Sequence, residues 1–436
     1  MSRLPPSTVI RRYYLYSATG RPNFHYPIYT LFLLYNGLSL PLIGLIATIQ
    51  SIVVVGGEVP TGYVGDRIGR RNSLLVGSFL MLVSNASYLV ATDFVGFTFT
   101  FVTLSFGATF FSGSRSAWLY DILQEHDMED EFTHVQGRSR ALSRYVGAAG
   151  ALLGGFLYTV NHFYPFYAGV AAAVVSLGVA TRLPKNRMYD DDYEGDGVDD
   201  DEFTIVDALP VIRDQLTAPS LRWFVVYLAL FSGAVWTMDM WIQPIAQEAL
   251  KGSIQSALNG WGVTTPILLG MLYATFTLMS AVTSDYAGDV EDLLGVRKAM
   301  MLIPAAIAVS YVLAGVWPLL AFPMFFMMKG GGSLTGPIQN RYVNDQVESV
   351  GRATVLSSVN MLRQVAGIPF RVGSGILAGM FTSIKAVAIL GGLFLVGSAL
   401  LWIFAPPVSR DYEASGTSPA DPAATPADDA STTAED

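Results

Sequence analysis

Seven ionisable side chains stand inside long apolar stretches of this 436-residue chain. They are His25, Glu58, Arg115, Asp239, Lys329, Arg363 and Arg371. A charged group at membrane depth is costly and by default faces a partner or a polar cavity, where it binds charged solutes or passes protons. We therefore predict that these seven residues belong to a substrate or proton pathway.

The balance of charge in this set predicts the kind of substrate. Four of its members are arginine or lysine and two are acids, which favours a substrate with a carboxylate or other anionic group. A neutral or amphipathic compound is the alternative, because Tyr, Trp and Phe are frequent in the same segments. His25 is the natural proton carrier, since imidazole titrates near neutral pH; Asp239 and Glu58 are the other candidates.

Each of these assignments has a structural alternative. Lys329 and Asp239 can pair with each other to hold two helices together, and so can Glu58 and Arg115. His25 can be a hydrogen-bonded histidine at a helix interface. Arg21 and Arg144, near the predicted ends of their apolar stretches, are expected to extend to the membrane interface.

A second chemical pattern lies at residues 62–71, which read GYVGDRIGRR. The glycines allow a tight reversal between two helices. An aspartate beside arginines at such a corner can cap a helix and pair with cations. A loop that is merely rich in positive charge explains the arginines but not the fixed order of the residues.

Composition excludes several classes of protein. Only 14% of residues are charged, against about a quarter in soluble proteins, and the mean hydropathy is +0.42. Zero cysteines and four histidines without paired spacing predict no disulfide, no metal and no cofactor. The net charge of −9 argues against nucleic acid. No GxSxG or GxxxxGK[ST] string is present, so an enzyme is not expected.

Twelve apolar segments are long enough to cross about 30 Å of hydrocarbon. We predict spans at 17–36, 41–63, 73–91, 94–118, 141–160, 163–181, 222–244, 262–283, 299–317, 319–340, 353–378 and 384–405. Arg21, Pro22 and His25 interrupt the first of these, and the alternative for its flank, residues 11–17, is an amphipathic turn along the membrane interface. The predicted domains are a six-helix bundle at 1–182, an acidic linker at 183–221, a second bundle at 222–405 and a disordered acidic tail at 406–436.

The distribution of lysine and arginine predicts the orientation. With both termini inside, 18 of the 26 cations fall in inner loops and ends and two in outer loops. Cytoplasmic loops carry such an excess of lysine and arginine, so both termini are predicted to be cytoplasmic. The protein itself is predicted to lie in the plasma membrane. Nine acids between Asp190 and Glu202, together with the scarcity of lysine, indicate a halophile's acidic surface.

The corner has a weaker copy in the second half of the chain. Gly288-Asp289 and Gly295-Val296-Arg297 echo Gly65-Asp66 and Gly69-Arg70-Arg71 about 225 residues later. Related corners in two halves indicate a transporter built from parallel repeats.

The string at 62–71 resembles the loop 2–3 signature of the major facilitator superfamily, G-x-x-x-D-R-x-G-R-[KR]. Residues 58–62 (EVPTG) are similar to a run common in its drug-efflux-type members. The twelve spans and central linker extend the resemblance over residues 10–405. It implies that superfamily's fold, an all-α membrane protein with twelve transmembrane helices in two pseudo-symmetric six-helix bundles.

The resemblance also implies roles for residues at the corner. In the family the loop aspartate caps a helix of the opposite half and holds the cytoplasmic gate shut, while a loop arginine reaches an acid ending the fourth span. This implies gating roles for Asp66, Arg70 and Asp121. The other residues predicted to take part in conformational coupling are Gly62, Arg67, Gly69, Arg71, Asp289 and Arg297.

In the same family the first, fourth, seventh and tenth spans line the central path. Here these spans carry His25, Arg115, Asp239 and Lys329. Glycines 330–332 follow Lys329, and each glycine weakens a helix by roughly 1 kcal/mol relative to alanine. We therefore predict a kink or unwound turn at residues 330–332.

The fifth span contains glycines 147, 150, 154 and 155 and is similar to the antiporter motif GPxxGG, with Ala151 in place of the proline. Close helix packing is the alternative role for these glycines. The leading prediction is a secondary transporter that moves a small solute by alternating access, proton-coupled and directed towards efflux. An uptake permease, a receptor of the same fold without flux, and a membrane-embedded enzyme are the alternatives.

Overall fold

The computed structural model describes residues 5–186, 221–346 and 352–408. Most of the predicted acidic linker and nearly all of the predicted tail lie outside these residues. The linker's predicted first residues, 183–186, are described, and they pack against the N-terminal half. Leu183 and Asn186 are 2% and 1% exposed there, so the packed half extends at least four residues beyond its predicted boundary.

Helices make up most of the described chain. The N-terminal half contains α1 (Pro6–Gly20), α2 (Tyr29–Tyr35), α3 (Leu40–Ile68), α4 (Arg70–Ser87), α5 (Phe94–Phe111), α6 (Ser114–Gln124), α7 (Phe132–Val160) and α8 (Tyr164–Ala180). The C-terminal half contains α9 (Arg222–Asp239), α10 (Ile242–Leu250), α11 (Ser253–Gly260), α12 (Thr265–Asp285), α13 (Ala287–Val316), α14 (Ala321–Asp345), α15 (Arg352–Met380) and α16 (Ser383–Phe404).

These sixteen helices form twelve spans, because three spans are each divided into two helices and the short helix α11 connects two spans without being part of either. The divided spans are the first (α1 and α2), the fourth (α5 and α6) and the seventh (α9 and α10, bent by 53°). By length and apolar composition alone, five spans of the described chain can cross a membrane, or six when the bent pair counts as one. The others are shorter or more polar.

The first span differs from its prediction. It begins at Pro6 and is interrupted from Arg21 to Ile28, where Pro22 and Pro27 disfavour helix at the residues before them. Val9, Tyr13 and Tyr16 of α1 are buried, and Tyr13 stacks on Trp118 at 5.7 Å between ring centroids. The alternative that residues 11–17 form an amphipathic turn along the membrane interface is therefore wrong, because their spacing is that of a buried helix face.

The predicted internal repeat is present in the backbone. Gly69 and Gly295, 226 residues apart, have nearly the same left-handed conformation, with φ of 86° and 72°. Two residues after each glycine, an arginine donates to a carbonyl just beyond the last helix of its own half. Arg71 binds Leu183 O at 2.8 Å, and Arg297 binds Val408 O at 3.2 Å.

The two halves touch at one end of the molecule. We call the end that carries the Gly69 corner the motif face and the opposite end the closed face. Gly44, near the start of α3, lies so close to α15 that an added Cβ would stand 2.8 Å from Gly375 Cα. Gly155 of α7 meets the start of α12 in the same way, against the carbonyl of Pro266. Small residues at both crossings allow this close approach.

Glycines of α7 also receive the interrupted part of the first span. A Cβ on Gly150 would overlap the carbonyl oxygen of Pro22, and one on Gly154 would overlap that of Phe24. The packing role considered for these glycines is thus present: without side chains, they admit a non-helical backbone against the helix.

This packing predicts which glycine of α7 tolerates alanine. Gly154→Ala should lower the free energy of unfolding by about 1–3 kcal/mol, because the new methyl group displaces the Phe24 carbonyl. Gly137→Ala on the same helix is the matched control, since nothing lies within 4 Å of its added Cβ. The thermal midpoints of the two purified variants check the prediction, and equal midpoints would contradict it.

Candidate functional site

A cavity of about 610 Å³ runs along the interrupted first span. Eight consecutive residues, Thr19 to Tyr26, form one of its walls. Polar side chains from five other helices of the N-terminal half also line it, among them Gln50, Ser78, Asn85, Ser105, Ser143, Arg144 and Ser176. We call this space the first-span cavity. Non-helical backbone at membrane depth is tolerated where it lines such a polar space.

Arg21 and Arg144 both line the first-span cavity. The sequence analysis expected both side chains to extend to the membrane interface, and it did not predict that they line one cavity, where both are exposed. Arg21 is carried into the cavity by the helix break, and Arg144 lies on the face of α7 that the interrupted segment crosses. Two nearby prolines, Pro22 directly after Arg21 and Pro27 after His25 and Tyr26, were the sequence signal for the break.

His25 lies at the inner wall of the same cavity. Its ring packs against Tyr88 and Phe166, with centroids 5.2 and 5.6 Å away. Its Nδ1 atom is buried and has no hydrogen-bond partner among the described residues. Thus His25 is held by aromatic contacts, and the hydrogen-bonded histidine considered as its alternative is not formed by the described chain.

A second space of about 250 Å³ lies between the two halves. It adjoins the first-span cavity, with which it shares Gln50, Val54 and Ser105. The C-terminal half contributes Trp236, Asp239, Met240, Gln364 and Arg371 to its wall. We call it the inter-half chamber. We call the two adjoining spaces together the polar path; His25, Asp239 and Arg371 line it.

Asp239 stands at the bend of the seventh span and has two partners. Its carboxylate forms an ion pair with Lys329 of α14 and accepts a hydrogen bond of 2.9 Å from the Tyr26 hydroxyl. The first contact lies within the C-terminal half, and the second crosses to the other half. The Lys329–Asp239 pairing considered above is therefore formed, and Tyr26 connects it to the interrupted segment.

Gln243, which the sequence analysis did not identify, ties the halves together. Its Oε1 accepts hydrogen bonds from the backbone N–H groups of Thr30 (2.8 Å) and Leu31 (3.3 Å), and its Nε2 donates to Tyr26 O at 2.9 Å. The residue is fully buried. An amide inside the apolar run of the seventh span was the available signal.

The glycines after Lys329 do not unwind the tenth span, so that prediction is wrong. The helix α14 continues from Ala321 to Asp345 through all three of them. Gly331 lies against Ile303 and Ile307 of α13, and Gly330 lies near Met279 of α12. These glycines make room for neighbouring helices, and that packing offsets their low helix propensity.

The two arginines of the eleventh span have different environments. Arg363 is 9% exposed and donates to Gln339 and Asn360, so it is held between α14 and α15. Arg371 lines the inter-half chamber, and its Nη1 has no hydrogen-bond partner in the described chain. Of this pair, Arg371 alone is placed on the polar path.

Arg115 and Glu58 line a further space, of about 340 Å³, together with Arg21. The guanidinium of Arg115 lies over the rings of Phe111 and Tyr16, at 5.0 and 5.4 Å. No ion pair between Arg115 and Glu58 is formed, so their expected pairing is replaced by cation–π contacts.

At the motif face, the corner arginines bind residues of their own half. Arg70 forms an ion pair of 3.2 Å with Asp121, as the family resemblance implies, and Asp121 also accepts a hydrogen bond from Asn186 at 3.2 Å. Arg67 lies over the Tyr63 ring. Asp66 lies in the last turn of α3, and its side chain is outside the described part of the structure; Gly62 is exposed on the same helix.

The second corner makes a similar ion pair with the charges exchanged. Glu291 binds Arg341 of the tenth span at 2.9 Å, where the first half pairs a loop arginine with an acid of the fourth span. Asp289, the residue predicted from the repeat, is exposed and forms no ion pair with a described residue.

The model of the Major Facilitator Superfamily matches residues 23–368, so the chain belongs to this superfamily. No curated protein matches the sequence significantly.

Solved structures with the same fold are distant in sequence. The nucleoside transporter NupG is 12% identical, with a TM-score of 0.72 over 91% of this chain and 97% of its own. A D-xylose–proton symporter is 14% identical, with a TM-score of 0.57 over 92% and 97%. A bacterial homologue of the human lysosomal transporter Spinster, inward-facing and unoccupied, is 13% identical, with a TM-score of 0.66 over 93% and 98%.

The Asp239 pair predicts a specific pattern of stabilities. Lys329→Met should lower the free energy of unfolding by about 2 kcal/mol, because Asp239 loses its counter-charge. The effect is smaller than for a fully buried pair, since the two side chains are 23% and 25% exposed. Lys329→Met combined with Asp239→Asn should recover most of the loss. Thermal midpoints of the three proteins test this, and a double variant less stable than Lys329→Met would contradict it.

Proposed function

We propose that this protein is a secondary active transporter that moves a small solute by alternating access and is coupled to protons. The observation that carries the proposal is the set of hydrogen bonds between the halves. Between described residues, all of them join residues 26–31 of the first span to residues 239–243 of the seventh. Bonds concentrated at one end of a polar path are what a gate requires.

The positive-inside distribution orients the molecule in this proposal. The motif face carries the arginine-rich corners and is placed on the cytoplasmic side of the plasma membrane. The closed face is then external, and the structure corresponds to an inward-facing state. Opening that face requires Gln243 to release the backbone of the first span, while the motif face closes around the corners at Gly69 and Gly295.

Asp239 is the proposed coupling residue. When ionised it binds Lys329 and accepts the Tyr26 hydrogen bond from the other half. Protonation removes the charge that holds Lys329 and weakens the contact with Tyr26, so it favours separation of the halves at the closed face. His25, on the same polar path, is the second group in the proposed proton route. The direction of transport and the assignment to the drug-efflux branch stay predictions, which rest on the sequence of residues 58–62.

Proteoliposomes containing the purified full-length protein test the proposal. Labelled uridine, a dipeptide, D-xylose, lactate and gluconate are offered with and without a pH gradient. We expect at least one to accumulate with the gradient and to stop when a protonophore collapses it. Asp239→Asn should keep exchange of that solute but lose gradient-driven accumulation, because the neutral side chain cannot change charge.

The control for that variant is Asp130→Asn, the same chemical change at an exposed position on the motif face. It should accumulate solute like the unaltered protein. Absence of flux for every solute would remove the transport proposal, and flux indifferent to the pH gradient would remove the proton coupling.

A further inference from the structure

We infer that the interrupted segment Arg21–Ile28 is itself the binding element for the substrate, and that it binds the carboxylate of a small, hydroxyl- or amide-bearing organic anion. This inference rests on the proposed transport function and adds the class of substrate. It locates charge recognition in the N-terminal half, along the first-span cavity.

The backbone of the segment supplies unused hydrogen-bond donors. The N–H groups of Arg21, Asn23, Phe24 and His25 make no hydrogen bond to a described residue, and the next donor along, Tyr26 N, binds Asn23 O. Asn23 has a left-handed φ of 60°, which ends the helical direction of the chain. Successive free N–H groups beside a left-handed residue are a recurrent anion-binding arrangement.

Packing against α7 fixes the direction of two of these donors. The carbonyl oxygens of Pro22 and Phe24 lie against Gly150 and Gly154, and no peptide bond is cis. In a trans peptide the C=O and the following N–H point in opposite directions. The N–H groups of Asn23 and His25 therefore point away from α7, towards the other walls of the first-span cavity.

The charges of the cavity favour the same ligand. Arg21 and Arg144 line it, no Asp or Glu does, and neither arginine forms an ion pair with a described residue. Two acids lie in adjoining spaces. Asp239 is paired with Lys329, and Glu58 lines another space together with Arg21 and Arg115. A carboxylate in the cavity would meet two guanidinium groups and the free backbone donors together.

The cations that line the first-span cavity are not those from which the sequence analysis predicted an anionic substrate. Lys329 and Arg363, two of the four cations counted there, are held by Asp239 and Gln339. The anion preference now depends on Arg21 and Arg144, which the sequence analysis had set aside.

The remaining cavity wall indicates the body of the ligand. Asn85 donates to Met81 O and Gln50 donates to Ser105, which leaves the carbonyl oxygen of each amide free to accept from a hydroxyl or amide. Phe24 and Phe111 add apolar surface. A volume of about 610 Å³ lies in the usual range for small-molecule sites.

The test compares carboxylates with their neutral amides on the purified full-length protein. Lactate is paired with lactamide and gluconate with gluconamide, and thermal midpoints are followed as each concentration rises. We expect at least one carboxylate to raise the midpoint in a saturable way while its amide leaves it unchanged. Equal effects within both pairs, or no stabilisation by either carboxylate, would overturn the inference.

Variants then assign the effect to the cavity. Arg21→Gln and Arg144→Gln should each weaken carboxylate binding roughly tenfold or more, since each removes a charge-assisted contact. Arg138→Gln is the matched control, because Arg138 is an exposed arginine on α7 that does not line the cavity. Binding that survives both cavity substitutions would overturn the inference.

The experiments test the transport proposal and the carboxylate-binding inference separately. Flux of D-xylose or uridine without carboxylate binding would retain the transporter and remove the anion subsite. Carboxylate binding without flux of any solute would retain the subsite and remove the transporter.

Discussion

A lipid bilayer offers no hydrogen bonds, so every non-helical backbone group at membrane depth must be housed by protein or by a polar cavity. Much of this structure follows from how that constraint is met at residues 21–28. The prolines disfavour the helix, the glycines of α7 admit the carbonyl groups of Pro22 and Phe24, and residues of the interruption line the first-span cavity. The same interruption carries Arg21, His25 and Tyr26 to the polar path.

The interruption also connects the halves. Tyr26, at its end, contacts Asp239 and Gln243 of the seventh span, which is itself broken near the same level. Two broken helices that satisfy each other's polar groups thus hold the halves together at the closed face. The motif face is built differently, with repeated glycine corners and arginines bound within each half. The two ends therefore differ in construction: hydrogen bonds between the halves hold the closed face, and hydrogen bonds within each half hold the corners of the motif face.

The sequence predicted the fold because apolar segment length and the corner motif are strong signals. The family resemblance implied the pairing of Arg70 with Asp121, and the pairing of Lys329 with Asp239 was considered as a structural alternative; both ion pairs are present. The sequence also showed that Arg21, Pro22 and His25 interrupt the first span, but not where the interrupted backbone packs, because that depends on the glycines of α7. For the same reason it did not place Arg21 and Arg144 beside one cavity. Gln243 and the Glu291–Arg341 pair depend on which helices meet, and spacing along the chain does not report that.

Distances across the two faces test the central claim of alternating access most directly. The chain contains no cysteine, so spin labels at introduced cysteines are unambiguous. One pair, Val160→Cys with Lys385→Cys, reports on the closed face, and another, Gly137→Cys with Lys298→Cys, reports on the motif face. In lipid nanodiscs across acidic and alkaline pH, the account predicts two populations whose distances change in opposite directions at the two faces. One unchanging distance at each face under every condition would contradict it.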